Sequence, residues 1–232
     1  MHHGTRRAAG RKRNRIPAAV CIGLMSLSML GACIGVQADV TINRDGGGII
    51  TLEYRMSRLL ESLGKLDGNA AWPPVPVGKA DFERTVARID GLELLSFTSN
   101  TRTDPVTTRV KLQFADPEAL FRFLDSGGRN ARFYREGGKD CVSLTLGGEH
   151  ESRDPDLAAL AALAAGLSEG YSIDLRFSLP RNAELTVTDG TGKPLGLPPA
   201  GTLTAKGGDV AFSVPLGDLI ASPVPFTLLI RW

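Results

Sequence analysis

The stretch TRVKLQFADPEALFRFL, Thr108 to Leu124, changes its period halfway along. In its first half Val110, Leu112 and Phe114 alternate with Arg109, Lys111 and Gln113. That is the period-two pattern of a strand with one buried face. Asp116-Pro117 then marks a helix start. An aspartate at this place can accept hydrogen bonds from free backbone amides, and proline suits the first helical position. Leu120, Phe121 and Leu124 follow at helical spacing and are expected to face inward, with Gly127-Gly128 as the stop. A strand that feeds a capped helix in this way points to an α+β fold.

The same two periods recur on either side. Val40-Thr-Ile42 and Ile50-Thr-Leu52-Glu-Tyr54 alternate around Arg44-Asp-Gly-Gly-Gly48, which predicts a hairpin. Met56, Leu59, Leu60 and Leu63 have helical spacing ending at Gly64, and Phe82, Val86 and Ile89 have it again ahead of Gly91. Leu95 and Phe97 belong to a further strand, alternating in one direction. Residues 131–136 and 141–146 predict a second hairpin around Gly137-Gly138. Asp154-Pro155 repeats the capping device before a helix with Leu157, Leu160, Leu163 and Leu167 on one side. Tyr171 to Leu179 alternates cleanly, and strands are expected over 184–188, 210–214 and 226–232.

Alternating strands joined by short turns favour antiparallel pairing. The expected fold is therefore a twisted antiparallel sheet with three or four helices packed mainly on one face. It forms a single domain over residues 40–232, with 171–232 as a candidate small β-rich subdomain.

The first residues read as an address. Arg6, Arg7, Arg11, Lys12, Arg13 and Arg15 precede an uncharged apolar run from Ile16 to Leu30. A basic front, a short apolar middle and small residues behind it are the parts of a secretory signal peptide. A run of about 15 residues is short for a membrane-spanning helix, which needs roughly 20. Two cut sites compete in LSMLGACIGVQADV, Leu27 to Val40. One lies between Ala32 and Cys33, the other after Ala38. Leu30-Gly31-Ala32-Cys33 resembles the lipobox of bacterial lipoproteins, in which the cysteine becomes the first residue and carries acyl chains such as palmitate. Val36-Gln37-Ala38 fits ordinary processing at small residues and would release a soluble secreted protein. On the first reading 1–32 is the signal and 33–39 a short tether, limited to roughly 25 Å when fully extended.

Loss of the signal changes the charge balance. It removes six basic residues and no acidic one, so Lys+Arg falls from 27 to 21 against 25 Asp+Glu, and the formal charge moves from +2 to −4. The basic character belongs to the signal, and no nucleic-acid partner is expected. Of the three cysteines, Cys21 leaves with the signal. Acylation of Cys33 would leave Cys141 alone in an apolar alternation, where a packed thiol is expected. No disulfide framework or zinc ligand set follows from that inventory.

Motifs for chemistry are absent. There is no Gly-x-Ser-x-Gly elbow, phosphate loop or His-Glu-x-x-His. Gly190-Thr-Gly192-Lys193 reads as a turn, and His150 as an exposed loop residue among charges. No catalytic residue, metal or cofactor is expected, although two carboxylates meeting in space would leave no trace in sequence. Trp72, with Pro73 and Pro74, lies in a proline-rich segment and is the candidate contact for a partner.

Several segments together resemble uncharacterised bacterial lipoproteins of the LppM-like type. They are the lipobox, the hairpin around its Asp-Gly turn, RVKLQFADPEALFRFL (109–124), YSIDLRFSLPRNAELTVTDG (171–190) and DVAFSVPLGDLI (209–220). The likeness is one of pattern over most of the mature chain. The C-terminal membrane helix that some such proteins carry has no counterpart before Trp232, which leaves the amino-terminal lipid as the anchor. The resemblance implies an envelope protein that associates with lipid, and it supplies no catalytic residue.

The expected function is thus that of a cell-envelope lipoprotein with a non-catalytic domain that binds a lipid or amphiphile, or a protein partner. A structural or assembly lipoprotein without a small ligand is the alternative, and a carboxylate-dependent envelope hydrolase a third. Ile34, rather than aspartate, follows the cysteine, which favours the outer membrane or periplasmic face.

Overall fold

A computed structural model describes residues 34–58, 78–125, 128–147, 168–222 and 224–232. Its strands are β1 (Ile34–Ile42), β2 (Gly48–Met56), β3 (Leu92–Asn100), β4 (Val106–Phe114), β5 (Ala131–Glu136) and β6 (Lys139–Leu146). They continue with β7 (Ser172–Ser178), β8 (Glu184–Asp189), β9 (Pro194–Leu195), β10 (Thr202–Lys206), β11 (Asp209–Pro215) and β12 (Phe226–Arg231). The helices among the described residues are α1 (Lys79–Val86), α2 (Pro117–Leu124) and α3 (Leu216–Ala221).

The fold is α+β, but it is built on two sheets. Seven strands run in the order β10-β11-β7-β1-β2-β4-β3, and five in the order β5-β6-β12-β8-β9. The expectation of one antiparallel sheet is corrected here. β1 pairs antiparallel with β2 and parallel with β7, so the larger sheet is mixed. Parallel neighbours must be joined by a crossover rather than a tight turn, and more than a hundred residues separate these two. The strands of 171–232 are divided between both sheets, so this segment is part of each.

Period two explains how the large sheet is dressed. Ala38, Val40, Ile50, Leu52, Val110, Leu112, Phe177 and Phe212 all lie in one buried cluster. The alternate residues are polar and meet in pairs across strands, Glu53 with Arg109 and Asp39 with Arg176. One apolar and one solvated face is what alternation dictates. Rings tie the layers together. Phe82 of α1 meets Tyr54 and Phe97 with centroids 6.2 and 5.8 Å apart. Phe212 of the large sheet meets Phe226 of the small one at 6.0 Å.

The strand-to-helix switch forms as its sequence predicts. Asp116 Oδ1 accepts the Ala119 amide at 2.7 Å, and Pro117 opens α2. Leu120 and Phe121 are buried, but Leu124 is 36% exposed, because the helix ends there and Phe123 takes the inward place beside Phe82. A register shift between Leu94 and Ser96 also corrects the reading of β3. The extra residue turns Leu95 outward while Phe97 packs inward, which is what a bulge does.

The largest correction is at the start of the domain. The first strand begins at Ile34, not Val40, so residues 34–39 are sheet rather than tether. Ile34, Val36 and Ala38 continue the inward alternation of Val40 and Ile42. At the other end, Met56 closes β2 rather than opening a helix. The rest of that expected helix, and the one with Leu157 to Leu167, lie outside the described residues.

Candidate functional site

Two places on β1 carry the functional question, one at each end. At the first, Ile34 pairs with Met56, and Val36 sits between Tyr54 and Ile173. Arg55 lies opposite Gly35, and the nearby Arg58 guanidinium donates to the carbonyl of Arg102 at 3.2 Å. The end of the large sheet that adjoins Cys33 therefore carries Arg55, Arg58 and Arg102. Cys33, Ala32, Trp72, Pro73, Pro74 and His150 themselves lie outside the described residues. Of the rival cut site, Val36, Gln37, Ala38 and Asp39 are all strand, with Ala38 buried against Leu52 and Leu175 as neighbours in register.

At the second place, β1 turns into β2. The Asn43 amide donates to Gly47 O at 2.8 Å, and the Gly47 amide donates to Asp45 Oδ1 at 3.1 Å. Gly46 has φ 91°, a conformation open to glycine at little cost. This knot presents Arg44 at its tip. Facing it is the β5–β6 hairpin, whose two turn glycines, Gly137 and Gly138, both have positive φ. That pair suits the two-residue hairpin turn that follows strand twist. The hairpin carries Arg135, whose Nε donates to Asp140 Oδ1 at 2.7 Å. The Asp140 backbone is in turn paired with Trp232, amide to carbonyl in both directions at 3.1 and 3.0 Å. Arg181 comes from the segment after β7, between the Leu179 and Ala183 amides, which donate to Gly208 O and Gly207 O.

Between these three turns lies a cleft of about 340 Å³. Arg44, Arg135 and Arg181 line it together with Asp45, Asp140 and Trp232. The hydrogen bond and charge of Asp140 hold the Arg135 guanidinium further into its charged form. Asp45 is engaged by its own turn. Arg44 and Arg181 have no hydrogen-bond or ion-pair partner among the described residues. Guanidinium groups only donate and do not give up their proton near neutral pH. The three guanidinium groups thus bring hydrogen-bond donors to the cleft.

Other expectations can be placed. Cys141 is a buried free thiol, as its alternation predicts. Gly190 to Lys193 is a turn organised by Asp189, whose carboxylate accepts from the Thr191 hydroxyl and from the Thr191 and Lys193 amides. The Thr191 hydrogen bond foremost lowers the Asp189 carboxyl below the usual range. No helix among the described residues is long and apolar enough to cross a membrane. The cleft itself was missed in sequence. Its arginines come from the β1–β2 turn, from β5 and from the segment after β7, far apart in the chain, and nothing local distinguishes them from other surface charges.

Comparison with protein-family models, with curated proteins and with solved structures found no match for this chain.

Proposed function

We propose that the chain is a cell-envelope lipoprotein, anchored through acylated Cys33, whose domain binds a ligand without catalysis. The observation that carries the reading is the start of β1 at Ile34, the residue after Cys33. A cut before Cys33 leaves the strand whole. A cut after Ala38 removes Ile34 to Ala38 from the middle of the large sheet, with every pairing from Ile34–Met56 to Ala38–Leu52 and from Val36–Ile173 to Ala38–Leu175. Burial of an aliphatic side chain such as Val36 or Ile34 stabilises by up to about 1.5–3 kcal/mol. Each ladder group left without a partner inside the protein costs about 1–3 kcal/mol. A loss of that size rivals the whole stability of a domain, about 5–15 kcal/mol. A loss of this size favours the lipobox cut over the one after Ala38.

The reading also sets the domain's posture. With no tether between lipid and strand, the end of the large sheet that carries Arg55, Arg58 and Arg102 rests at the headgroups, where basic side chains favour anionic lipid. The lipobox and the LppM-like pattern support the same assignment, and the engaged carboxylates of the cleft favour binding over hydrolysis. The experiment is fractionation of cells that express the wild type and Cys33→Ala. The wild type is expected in the membrane fraction as a processed chain, and the variant is expected to lose lipid-dependent retention and processing at this site. Equal processing of both to a soluble product would refute the proposal.

A further inference from the structure

We infer that the cleft between the β1–β2 turn and the β5–β6 hairpin is a binding site for a small phosphate ester. Three observations support this. First, the cleft's two carboxylates are already used, Asp45 by the Gly47 amide and Asp140 by Arg135. Second, Arg44 and Arg181 enter from different turns and are left without partners among the described residues. The planar fork of arginine fits the oxygens of phosphate in pairs, so two free forks at one cleft match one tetrahedral oxyanion. Third, the cleft's volume of about 340 Å³ lies at the lower end of the range for small-molecule sites, roughly 300–1,000 Å³. That is more than an inorganic phosphate fills. The remaining wall combines Asn43 with Pro117, Pro180 and Trp232, which suits a glycerol- or sugar-sized body beside the charge.

Where the ligand comes from rests on the anchored reading above; the binding itself does not. β1 is nine residues long, about 26 Å at the usual strand rise. The cleft lies at the end away from Cys33, so an anchored domain holds it well clear of its own bilayer. The phosphate then belongs to a diffusible ester, or to a headgroup presented by something other than the membrane underneath.

Calorimetric titration of the mature protein, in detergent when it carries acyl chains, tests this with two probes. Glycerol 3-phosphate is a soluble monoester. Glycerophosphoglycerol is the diester left when a phospholipid loses its acyl chains. At least one is expected to bind, with affinity at least tenfold weaker in the double variant Arg44→Gln/Arg181→Gln and falling with added salt in the wild type. Arg44→Lys/Arg181→Lys keeps the charge but not the forks, and is expected to fall between. Preference for the monoester assigns a diffusible ligand, and preference for the diester a headgroup. Absence of binding of either ester at millimolar concentration overturns the inference. So does unchanged affinity in a double variant that melts like the wild type. Because titration reads the cleft whatever precedes Ile34, its failure is distinct from failure of the lipid anchor.

Discussion

β1 is held within the large sheet along its length, while the turn that follows it stands in the open. From Val36 to Thr41 it lies between β2 and β7, with Ala38, Val40 and Ile42 buried. At its Ile42 end it enters a glycine-rich turn whose exposed Arg44 faces a charged cleft. Residues next to Cys33 are thus strand of the large sheet, while Arg44 in the turn is exposed and open to contact. A signal cut is normally placed where the chain is dispensable. Here the residues that offer a second cut site belong to a central strand of the large sheet.

The most severe test of that contrast is a mature chain that lacks residues 34–38. It is expected to lose cooperative folding altogether, seen as a missing urea transition in far-ultraviolet circular dichroism. A normal transition would show that β1 is not essential. Next is Gly48→Ala, where β2 leaves the turn. A β-carbon there would collide with the Thr41 carbonyl oxygen and the Phe114 ring. Overpacking of this kind costs about 1–3 kcal/mol, readable in the urea midpoint. A neutral result would mean that the turn end is loosely packed throughout.

A smaller effect, confined to alkali, belongs to the Ile34 end, where Tyr54 pairs with Val36. Burial pushes the Tyr54 phenol well above its ordinary range. The unfolded chain loses this proton near pH 10 and the folded chain does not, so the folded state binds more protons there and stability falls as pH rises past about 10. Tyr54→Phe should flatten that fall in a series of urea curves between pH 8 and 11; an unchanged slope would assign it to other groups. The smallest effect is expected for Arg44→Gln. Loss of an exposed side chain without a partner should move stability by less than about 0.5 kcal/mol. A larger loss would mean that Arg44 serves the fold and not a ligand.

How far the sequence was legible depended on distance along the chain. The β4–α2 switch could be read because the period change, the cap residue and proline all sit within a few residues. The hairpins β1–β2 and β5–β6 were visible for the same reason. The start of β1 was hidden by ambiguity, since small and apolar residues such as Val36 and Ala38 suit both a cut site and an inward strand face. The pairing of Val36 with Ile173 joins segments whose local patterns say nothing of each other, and so does the split into two sheets. The bulge at Leu95 broke an alternation that looked continuous. The arginine cleft is the extreme case, assembled only when three distant segments converge.

The most direct measurement is the intact mass and amino-terminal residue of the mature protein from a bacterial membrane fraction. A chain that starts at Cys33 and carries acyl mass is expected, with the whole of β1 retained. A folded chain that starts at Asp39 without lipid would contradict both the anchor and the claim that residues 34–38 are indispensable to the sheet.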